Sequence, residues 1–75
     1  MPKKPLTLVL YDYLERYKER WISKKELEVQ AHRHHYQGDS ACRILRSMSE
    51  HNRIYKDYEY NGGKRFVKYK FNDTA

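Results

Sequence analysis

Three histidines stand close together near the middle of the chain: His32, His34 and His35. Metal ligands on one helix face need a spacing of three or four residues, and of these three only His32 and His35 have it. A third ligand would have to come from His51 or Cys42, and neither lies at a diagnostic spacing. We therefore expect no metal and no cofactor. One of His34 and His35 is expected to fill the edge of the core, and the other to contact phosphate or sense pH.

Few residues in the chain are arranged for catalysis. The single cysteine, Cys42, excludes an internal disulfide and a cysteine-rich zinc module, and its neighbours favour packing over nucleophilic attack. Paired carboxylates, a Ser-His-Asp arrangement and a glycine-rich loop that would cradle a phosphate are all missing from the sequence. The sequence therefore predicts a protein that is not an enzyme and has no small-molecule substrate.

Positive charge is the clearest chemical feature of the chain. Lys and Arg number 16 against 10 Asp and Glu, which gives a net charge of +6 at pH 7. From Arg43 to Lys70, eight basic residues stand against three acidic ones, a local balance of +5. Such a balance favours nucleic acid or another anionic surface as the partner.

A chain of 75 residues can form one small domain. Leu, Ile, Val and Phe together number only 14, but eight tyrosines and one tryptophan supply further apolar surface. We expect a folded domain over residues 5–71, a basic arm at 1–4 and a disordered tail at 72–75. The apolar run at 6–10 is too short to span a membrane, and no secretory signal is visible. The expected location is the reducing interior of the cell, the cytoplasm.

The spacing of apolar residues predicts a first helix over residues 5–18, with a stripe formed by Leu6, Leu10, Tyr13 and Tyr17. A short extended segment should follow it.

Ser23 and Glu26 form the S-x-x-E capping-box pattern, in which each side chain accepts from the other residue's backbone N–H. The pattern predicts a second helix over residues 24–35. Its inward stripe is thin and consists of Leu27, Ala31 and one of the two adjacent histidines.

Gly38 predicts a turn, after which Asp39 or Ser40 caps a third helix that runs to about His51. Asn52 tolerates the left-handed conformation and should end this helix. The two faces of the helix separate Ala41, Ile44, Leu45 and Met48 from Arg43, Arg46, Ser47 and Glu50.

Residues 54–60 and 64–71 flank Asn61-Gly62-Gly63, and this is the strongest local signal in the chain, a β-hairpin. A two-residue turn at Gly62-Gly63 pairs Ile54 with Phe71, Lys56 with Tyr69, Tyr58 with Val67, and Asp57 with Lys68. An Asn61-Gly62 turn would keep the same faces, whereas a three-residue loop would mix them.

The same periodicities sort most of the tyrosines. Those on predicted core faces are Tyr13, Tyr17, Tyr58 and Tyr69. Those outside these faces are Tyr11, Tyr36 and Tyr55, and an exposed aromatic patch of this kind would imply a partner protein or self-association.

In this order, the elements resemble the winged helix-turn-helix family of DNA-binding domains, in its small prokaryotic or phage-encoded form. The resemblance covers nearly the whole chain and rests on residues 21–27 (WISKKEL), 38–48 (GDSACRILRSM), 52–54 (NRI) and 67–71 (VKYKF). Met48 stands for a family leucine, Asn52 for the glycine before the wing, and Ile54 for the isoleucine that begins it. Glu28 departs from the family's small residue, and the gap from Leu27 to Arg43 is longer than in the compact form.

The resemblance implies an α+β fold of three helices with a C-terminal β-hairpin wing, and a small transcriptional regulator that binds double-stranded DNA. The third helix, about residues 39–51, would lie in the major groove, and the wing, residues 54–71, would contact the backbone or the minor groove. The residues expected to contact DNA are Ser40, Arg43, Arg46 and Ser47 on the third helix, Asn61, Lys64 and Arg65 on the wing, and Lys24 and Lys25 at the start of the second helix.

Several alternatives are open on the sequence. Arg43 can instead pair with a carboxylate of the second helix, and Lys3 and Lys4 can add a contact from the arm. The fold can also serve as a protein–protein interaction module with an aromatic surface, or as an RNA-binding module.

Overall fold

The computed structural model describes residues 4–74. Three helices and three strands follow one another as α1 (Leu6–Arg16), β1 (Ile22–Ser23), α2 (Lys24–Arg33), α3 (Gly38–Glu50), β2 (Ile54–Asn61) and β3 (Lys64–Phe71). The strands form one antiparallel sheet in the order β1-β3-β2. The expected α+β architecture of three helices and a C-terminal hairpin is confirmed, and β1 adds a third strand to the hairpin.

The core lies between the helices and one face of the sheet, and every element contributes to it. Its buried side chains are Leu6, Val9, Leu10, Leu14, Ile22, Leu27, Ala31, Ala41, Leu45, Met48, Ile54 and Tyr69. Ile44 packs against this cluster from α3 and is half-buried. Of the 14 Leu, Ile, Val and Phe residues, eleven are buried in this core or packed against it, and the exposed ones are Leu8, Val29 and Phe66.

The distribution of the tyrosines differs from the prediction. Of the four expected in the core, Tyr69 is buried and Tyr13 is half-buried, but Tyr17 and Tyr58 are each 37% exposed. Tyr17 lies at the residue after α1 ends, where it packs against Tyr13 and the arginines at 16 and 20. Tyr58 lies on the hairpin at the edge of a groove that residues of α2 and α3 also line.

Two tyrosines expected outside the core pack against it instead. The ring of Tyr11 meets the ring of Phe71 edge-on, with centroids 5.2 Å apart. The Tyr36 hydroxyl donates to the Lys4 backbone carbonyl at 2.6 Å. Of the three tyrosines assigned to an exposed patch, only Tyr55 is exposed.

The hairpin has the predicted register. Ile54 faces Phe71, Lys56 faces Tyr69, Tyr58 faces Val67 and Asp57 faces Lys68. Gly62 and Gly63 form the two-residue turn with φ of +59° and +78°. Positive φ at both positions is the type I′ turn, whose twist matches that of the strands.

The capping serine is also confirmed, because the backbone N–H of Glu26 donates to Ser23 Oγ at 3.2 Å. The Glu26 carboxylate accepts from the Tyr13 hydroxyl at 2.6 Å and from Arg20 at 2.8 Å. Burial and this bond to Glu26 raise the pKa of Tyr13 above its ordinary value. Glu26 thus ties the start of α2 to α1 and to the segment that joins them.

The end of α2 comes earlier than predicted. The helix stops at Arg33, and His35 adopts a left-handed conformation with φ of 65°. The backbone N–H of Tyr36 donates back to the Ala31 carbonyl at 2.9 Å, which closes the helix end. Both His34 and His35 are exposed, so the prediction that one of them fills the core is wrong. The half-buried ring of Tyr36 packs there against the core instead.

The beginning of α3 also differs. The helix starts at Gly38, with Gln37 at the N-cap and no side-chain capping bond, so neither Asp39 nor Ser40 is the cap. Gly38 makes no turn of its own, because it lies within the helix beside Glu28 and His32 of α2. The turn is made at His35.

The end of α3 is as predicted. Asn52 is left-handed with φ of 58°, and the N–H of Arg53 donates to the Met48 carbonyl at 2.9 Å.

Residues near both ends of the described part make polar contacts with the rest of the fold. Lys4 pairs with Asp12 at 2.5 Å, while residues 1–3 of the predicted arm, Lys3 among them, lie outside the described residues. Asn72 is buried: its amide donates to the Asn52 carbonyl at 2.8 Å, and its Oδ1 accepts from the Thr74 backbone and hydroxyl. These hydrogen bonds involve residues after Phe71, and the predicted bounds of the domain and its tail stay a prediction. Residue 75 lies outside the described part.

Candidate nucleic-acid interface

The outer face of α3 carries a ridge of four exposed charged side chains. At about 100° per residue, Arg46, Asp39, Glu50 and Arg43 follow one another within about 60° of arc. All four are exposed. The ridge is mixed in charge, since two carboxylates stand between the two arginines.

A groove of about 260 Å³ lies between α3 and the hairpin. Four cationic side chains line it: Lys24, Arg46, Lys56 and Arg65. Its other lining residues are Cys42, Tyr58, Val67 and Tyr69, so none of its lining residues is acidic. We call this feature the wing groove.

The sheet topology explains why these cations meet. Ser23 of β1 pairs with Lys68 of β3, and α2 begins at the next residue, Lys24. The first turn of α2 therefore lies beside the hairpin, while α3 brings Arg46 from the other side. A short two-residue strand is enough to join the three elements at one place.

Within the wing groove, Tyr58 is held between two cations. Lys56 Nζ lies 5.5 Å and the Arg65 guanidinium carbon 4.7 Å from the centre of the Tyr58 ring. These distances are in the range of cation–π contacts. The ring therefore makes a favourable contact with two of the positive charges in the groove.

Tyr69 forms the floor of the wing groove, and its neighbours there affect the pKa of its hydroxyl. Burial raises this pKa, and the nearby Cys42 and Tyr58 raise it further, whereas the positive charge of Arg46 lowers it. Arg46 is thus close enough to the groove floor to act on it electrostatically.

The predicted contacts at the start of α2 lie on a neighbouring surface. A cavity of about 370 Å³ is lined by Lys24, Lys25, Arg65 and Phe66 together with Ser23, Glu28 and Val67. Lys24 Nζ is 3.8 Å from Glu28 Oε1, and the Cys42 thiol lies 3.5 Å from the same oxygen. Both α2 carboxylates therefore have other partners than Arg43, since Glu28 contacts Lys24 and Cys42, and Glu26 contacts α1 and Arg20.

The remaining predicted residues are divided between two other places. Ser47 is exposed on the far side of α3 from the wing groove, and Ser40 is half-buried near the start of that helix. Asn61 and Lys64 face each other at the hairpin tip, and both are exposed. The structure thus joins Lys24, Arg46 and Arg65 in one groove and leaves the other predicted residues around it.

Lys56 and Tyr58 are the groove residues that the sequence prediction missed as contacts. The signal was present, because the hairpin register placed both side chains on the inward face, with Lys56 opposite Tyr69. Their solvent exposure depends on how the helices pack against that face. The alternation of residues along a strand cannot predict this packing.

The described residues hold no group of three or more His, Cys, Asp or Glu side chains that could bind a metal ion. Between residues 4 and 74, no helix has the length and apolar character needed to cross a bilayer.

Comparison with known proteins gives a likeness of fold. No protein-family model and no curated protein matches the chain. Stf76 from the Sulfolobus islandicus plasmid-virus pSSVx aligns with a TM-score of 0.74 at 18% identity, covering 96% of this chain and 90% of that protein. The putative transcriptional regulator TA0346 from Thermoplasma acidophilum aligns with a TM-score of 0.71 at 19% identity, covering 92% of this chain and 66% of that one.

Proposed function

We propose that this chain, which has the winged helix-turn-helix fold, binds double-stranded DNA as a small transcriptional regulator. The observation that carries the proposal is the wing groove, where Lys24, Arg46, Lys56 and Arg65 converge without an acidic residue in the lining. Phosphate is the ligand chemistry that such a set of donors favours, because Lys and Arg provide charge and Arg adds a planar pair of donors.

The shape of the surface favours a duplex. An α-helix with its side chains is about 10–12 Å wide, which matches a major groove about 12 Å wide. With the ridge of α3 facing the base edges, the wing groove lies along one flank of the helix. A DNA backbone running past that flank would meet the four cations of the groove.

The charged ridge of α3 suits base edges better than phosphates. Arg43 can donate two hydrogen bonds from its guanidinium to guanine, and the exposed carboxylates of Asp39 and Glu50 can accept from the amino group of cytosine. Near a phosphate the same carboxylates would be repelled. We therefore assign Arg43 to base recognition and Arg46 to the DNA backbone.

The other predicted contacts take supporting roles in the proposal. Lys25, Asn61 and Lys64 lie at the rim of the interface, where they would bind backbone or reach a minor groove. Ser40 and Ser47 flank the ridge on the side away from the hairpin.

The proposal of transcriptional regulation has separate support. One structure with this fold, TA0346, is described as a putative transcriptional regulator. In this chain, an exposed helix of mixed charge lies beside a positively charged groove. Such an arrangement suits contacts with DNA bases from the helix and contacts with backbone phosphates from the groove.

The test is a titration of a short mixed-sequence duplex, followed by fluorescence anisotropy at several salt concentrations. Lys56→Gln and Arg65→Gln each remove one groove cation. Each should weaken binding and reduce the slope of log K against log salt by about 0.9, the amount expected for one lost phosphate contact. Arg43→Gln should instead reduce discrimination between selected and random duplexes.

Lys18→Gln is the matched control, since Lys18 is an exposed lysine in the segment after α1. It should leave the salt slope unchanged. Wild-type protein that binds no duplex at low salt would contradict the proposal, and stronger binding to single-stranded or structured RNA would assign the same groove to RNA.

A second function is favoured by one observation, the outer face of the sheet. Trp21, Tyr55 and Phe66 are 38%, 44% and 49% exposed, and each neighbours a residue that faces the core. Aromatic side chains of this kind are enriched in protein interfaces. Sedimentation that depends on protein concentration, and that is lost in Phe66→Ser, would support a protein–protein interface on this face.

A further inference from the structure

The other flank of α3 carries a second polar cluster. A shallow cavity of about 240 Å³ lies between the start of α1 and the end of α3. Its polar lining is Thr7, Ser47, His51 and Arg53, all exposed, and its apolar wall is Ile44 and Met48. We call this feature the far-flank cavity.

The far-flank cavity and the wing groove lie on opposite sides of the α3 ridge. Cys42, which lines the wing groove, and Ser47, which lines the cavity, are about 140° apart around the helix axis. The charged ridge lies between them. A helix seated in the major groove has one DNA strand along each flank, so the cavity faces the strand that the wing groove does not reach.

The hydrogen bonding of His51 limits what it can do in this cavity. Its Nδ1 lies 2.8 Å from the Ser47 backbone carbonyl, which can only accept, so Nδ1 carries a hydrogen. In the neutral ring, Nε2 is therefore an acceptor. An ionised phosphate oxygen is also an acceptor, so the two atoms cannot form a hydrogen bond. Only the protonated ring can donate from Nε2 to a phosphate.

We infer that Thr7, Ser47, His51 and Arg53 bind a backbone phosphate of the second DNA strand, and that His51 does so after taking up one proton from solvent. The inference rests on the proposed function. Thr7 and Ser47 supply hydroxyl donors, Arg53 supplies a permanent charge, and His51 supplies a charge that depends on pH.

The charges around His51 favour protonation when the phosphate is present. Among the residues that line the far-flank cavity, Arg53 is the other charged group. Glu50 precedes His51 on α3, and α1 contributes the neutral hydroxyl of Thr7. A bound phosphate would favour the charged ring over the neutral ring, so proton uptake and DNA binding are coupled.

The test is the salt dependence of binding to a short mixed-sequence duplex, measured at about pH 8 and about pH 5.5, a range in which imidazole side chains gain charge. In the wild type, the slope of log K against log salt should steepen by about 0.9 at the lower pH, as for one added phosphate contact. His51→Gln should abolish this steepening. Arg53→Gln should lower the slope by about 0.9 at both pH values.

Two variants serve as matched controls. His34 occupies the same place at the end of α2 as His51 does at the end of α3, with its Nδ1 3.0 Å from the Gln30 carbonyl. His34→Gln should therefore keep the pH-dependent steepening. Arg16→Gln removes an arginine beside Tyr17 and should leave the slope unchanged.

The outcomes separate this inference from the proposed function. If His51→Gln steepens with falling pH as the wild type does, or Arg53→Gln keeps the wild-type slope, the far-flank cavity does not bind phosphate and the inference is wrong. If Lys56→Gln and Arg65→Gln still weaken binding in that case, the proposed function stands. If the wild type binds no duplex at either pH, the proposed function is wrong, and the inference that rests on it is wrong as well.

Discussion

The two ends of the β-hairpin share one regular ladder of paired residues but differ in their surroundings. At the base, Ile54 and Tyr69 are 2% and 4% exposed and belong to the core. At the tip, Tyr60 is 71% exposed, and Lys64 and Arg65 stand in solvent. The fully buried residues of the hairpin lie only at the base. The base therefore contributes stability and the tip contributes charge to the surface, so substitutions at the two ends should have separable effects.

Ile54→Ala at the base should have the largest effect on folding. The side chain is buried where β2 begins, and its removal leaves a cavity that the surrounding core fills only in part. The expected loss in the free energy of unfolding is about 2–5 kcal/mol, measured by urea denaturation. Tyr60→Ala, on the same strand and face at the tip, should change it by less than about 0.5 kcal/mol. Equal losses at the two positions would refute the division between base and tip.

Asn72→Asp should have the next largest effect. The change replaces the amide that donates to the Asn52 carbonyl with an oxygen that cannot donate, at a buried position. We expect a loss of about 1–3 kcal/mol in the free energy of unfolding. Asn61→Asp makes the same change at the exposed tip and should affect DNA binding more than stability. A stable Asn72→Asp variant would show that this bond does not anchor the chain end to the end of α3.

Gly63→Ala in the hairpin turn should have a smaller effect. Gly63 has φ of +78°, and no neighbouring atom lies within 4 Å of the point that a β-carbon would occupy, so the cost is conformational and not steric. We expect about 1–2 kcal/mol from the left-handed backbone alone, measured by thermal or urea unfolding. Gly38→Ala is the control: its neighbours lie at an ordinary 3.8 Å within α3, and it should be neutral or slightly stabilising.

Tyr69 should make stability depend on alkaline pH. Its pKa is raised in the fold, chiefly by burial, so the folded chain holds this proton to a higher pH than the unfolded chain does. The contribution is fully present below the unfolded pKa of about 10 and is lost as pH rises through the folded pKa. Unfolding measured from pH 9 upward should show this decline, with Tyr13 adding to it. Tyr69→Phe should reduce the decline, and Tyr60→Phe at the tip serves as its control.

Local structure was predictable where one chemical rule dominated. The two glycines favour a type I′ turn, and the pleat then determines every pair up to Ile54 and Phe71. Ser23 and Asn52 were identified as helix boundaries because their side chains satisfy specific conformational or hydrogen-bonding needs.

The end of α2 was not predictable in the same way. His35 adopts a left-handed conformation that few side chains favour, and the sequence contains no glycine there to indicate it. The half-buried Tyr36 follows it directly, packs against the core and donates to the Lys4 carbonyl. A tertiary contact therefore accompanies a backbone conformation that local propensity disfavours.

The candidate interface was predicted in part. Arg46 and Arg65 were expected at the surface from their helix face and turn position, and the wing groove joins them. Lys56 and Tyr58 were placed on the inward face and were not recognised as groove residues. Whether that face is core or solvent depends on the distance to which α2 and α3 extend along it.

The sequence by itself determined the order of elements, the hairpin register, the capping serine and the excess of positive charge. The charge follows from composition alone, and the other features follow from interactions between residues near one another in the chain or from the alternation of a strand paired through a tight turn. The tertiary structure decided which charges share a groove, which tyrosines are buried and which flank of α3 receives His51 and Arg53. These depend on how helices pack against a sheet, because residues distant in sequence become neighbours only when the core excludes water between their elements.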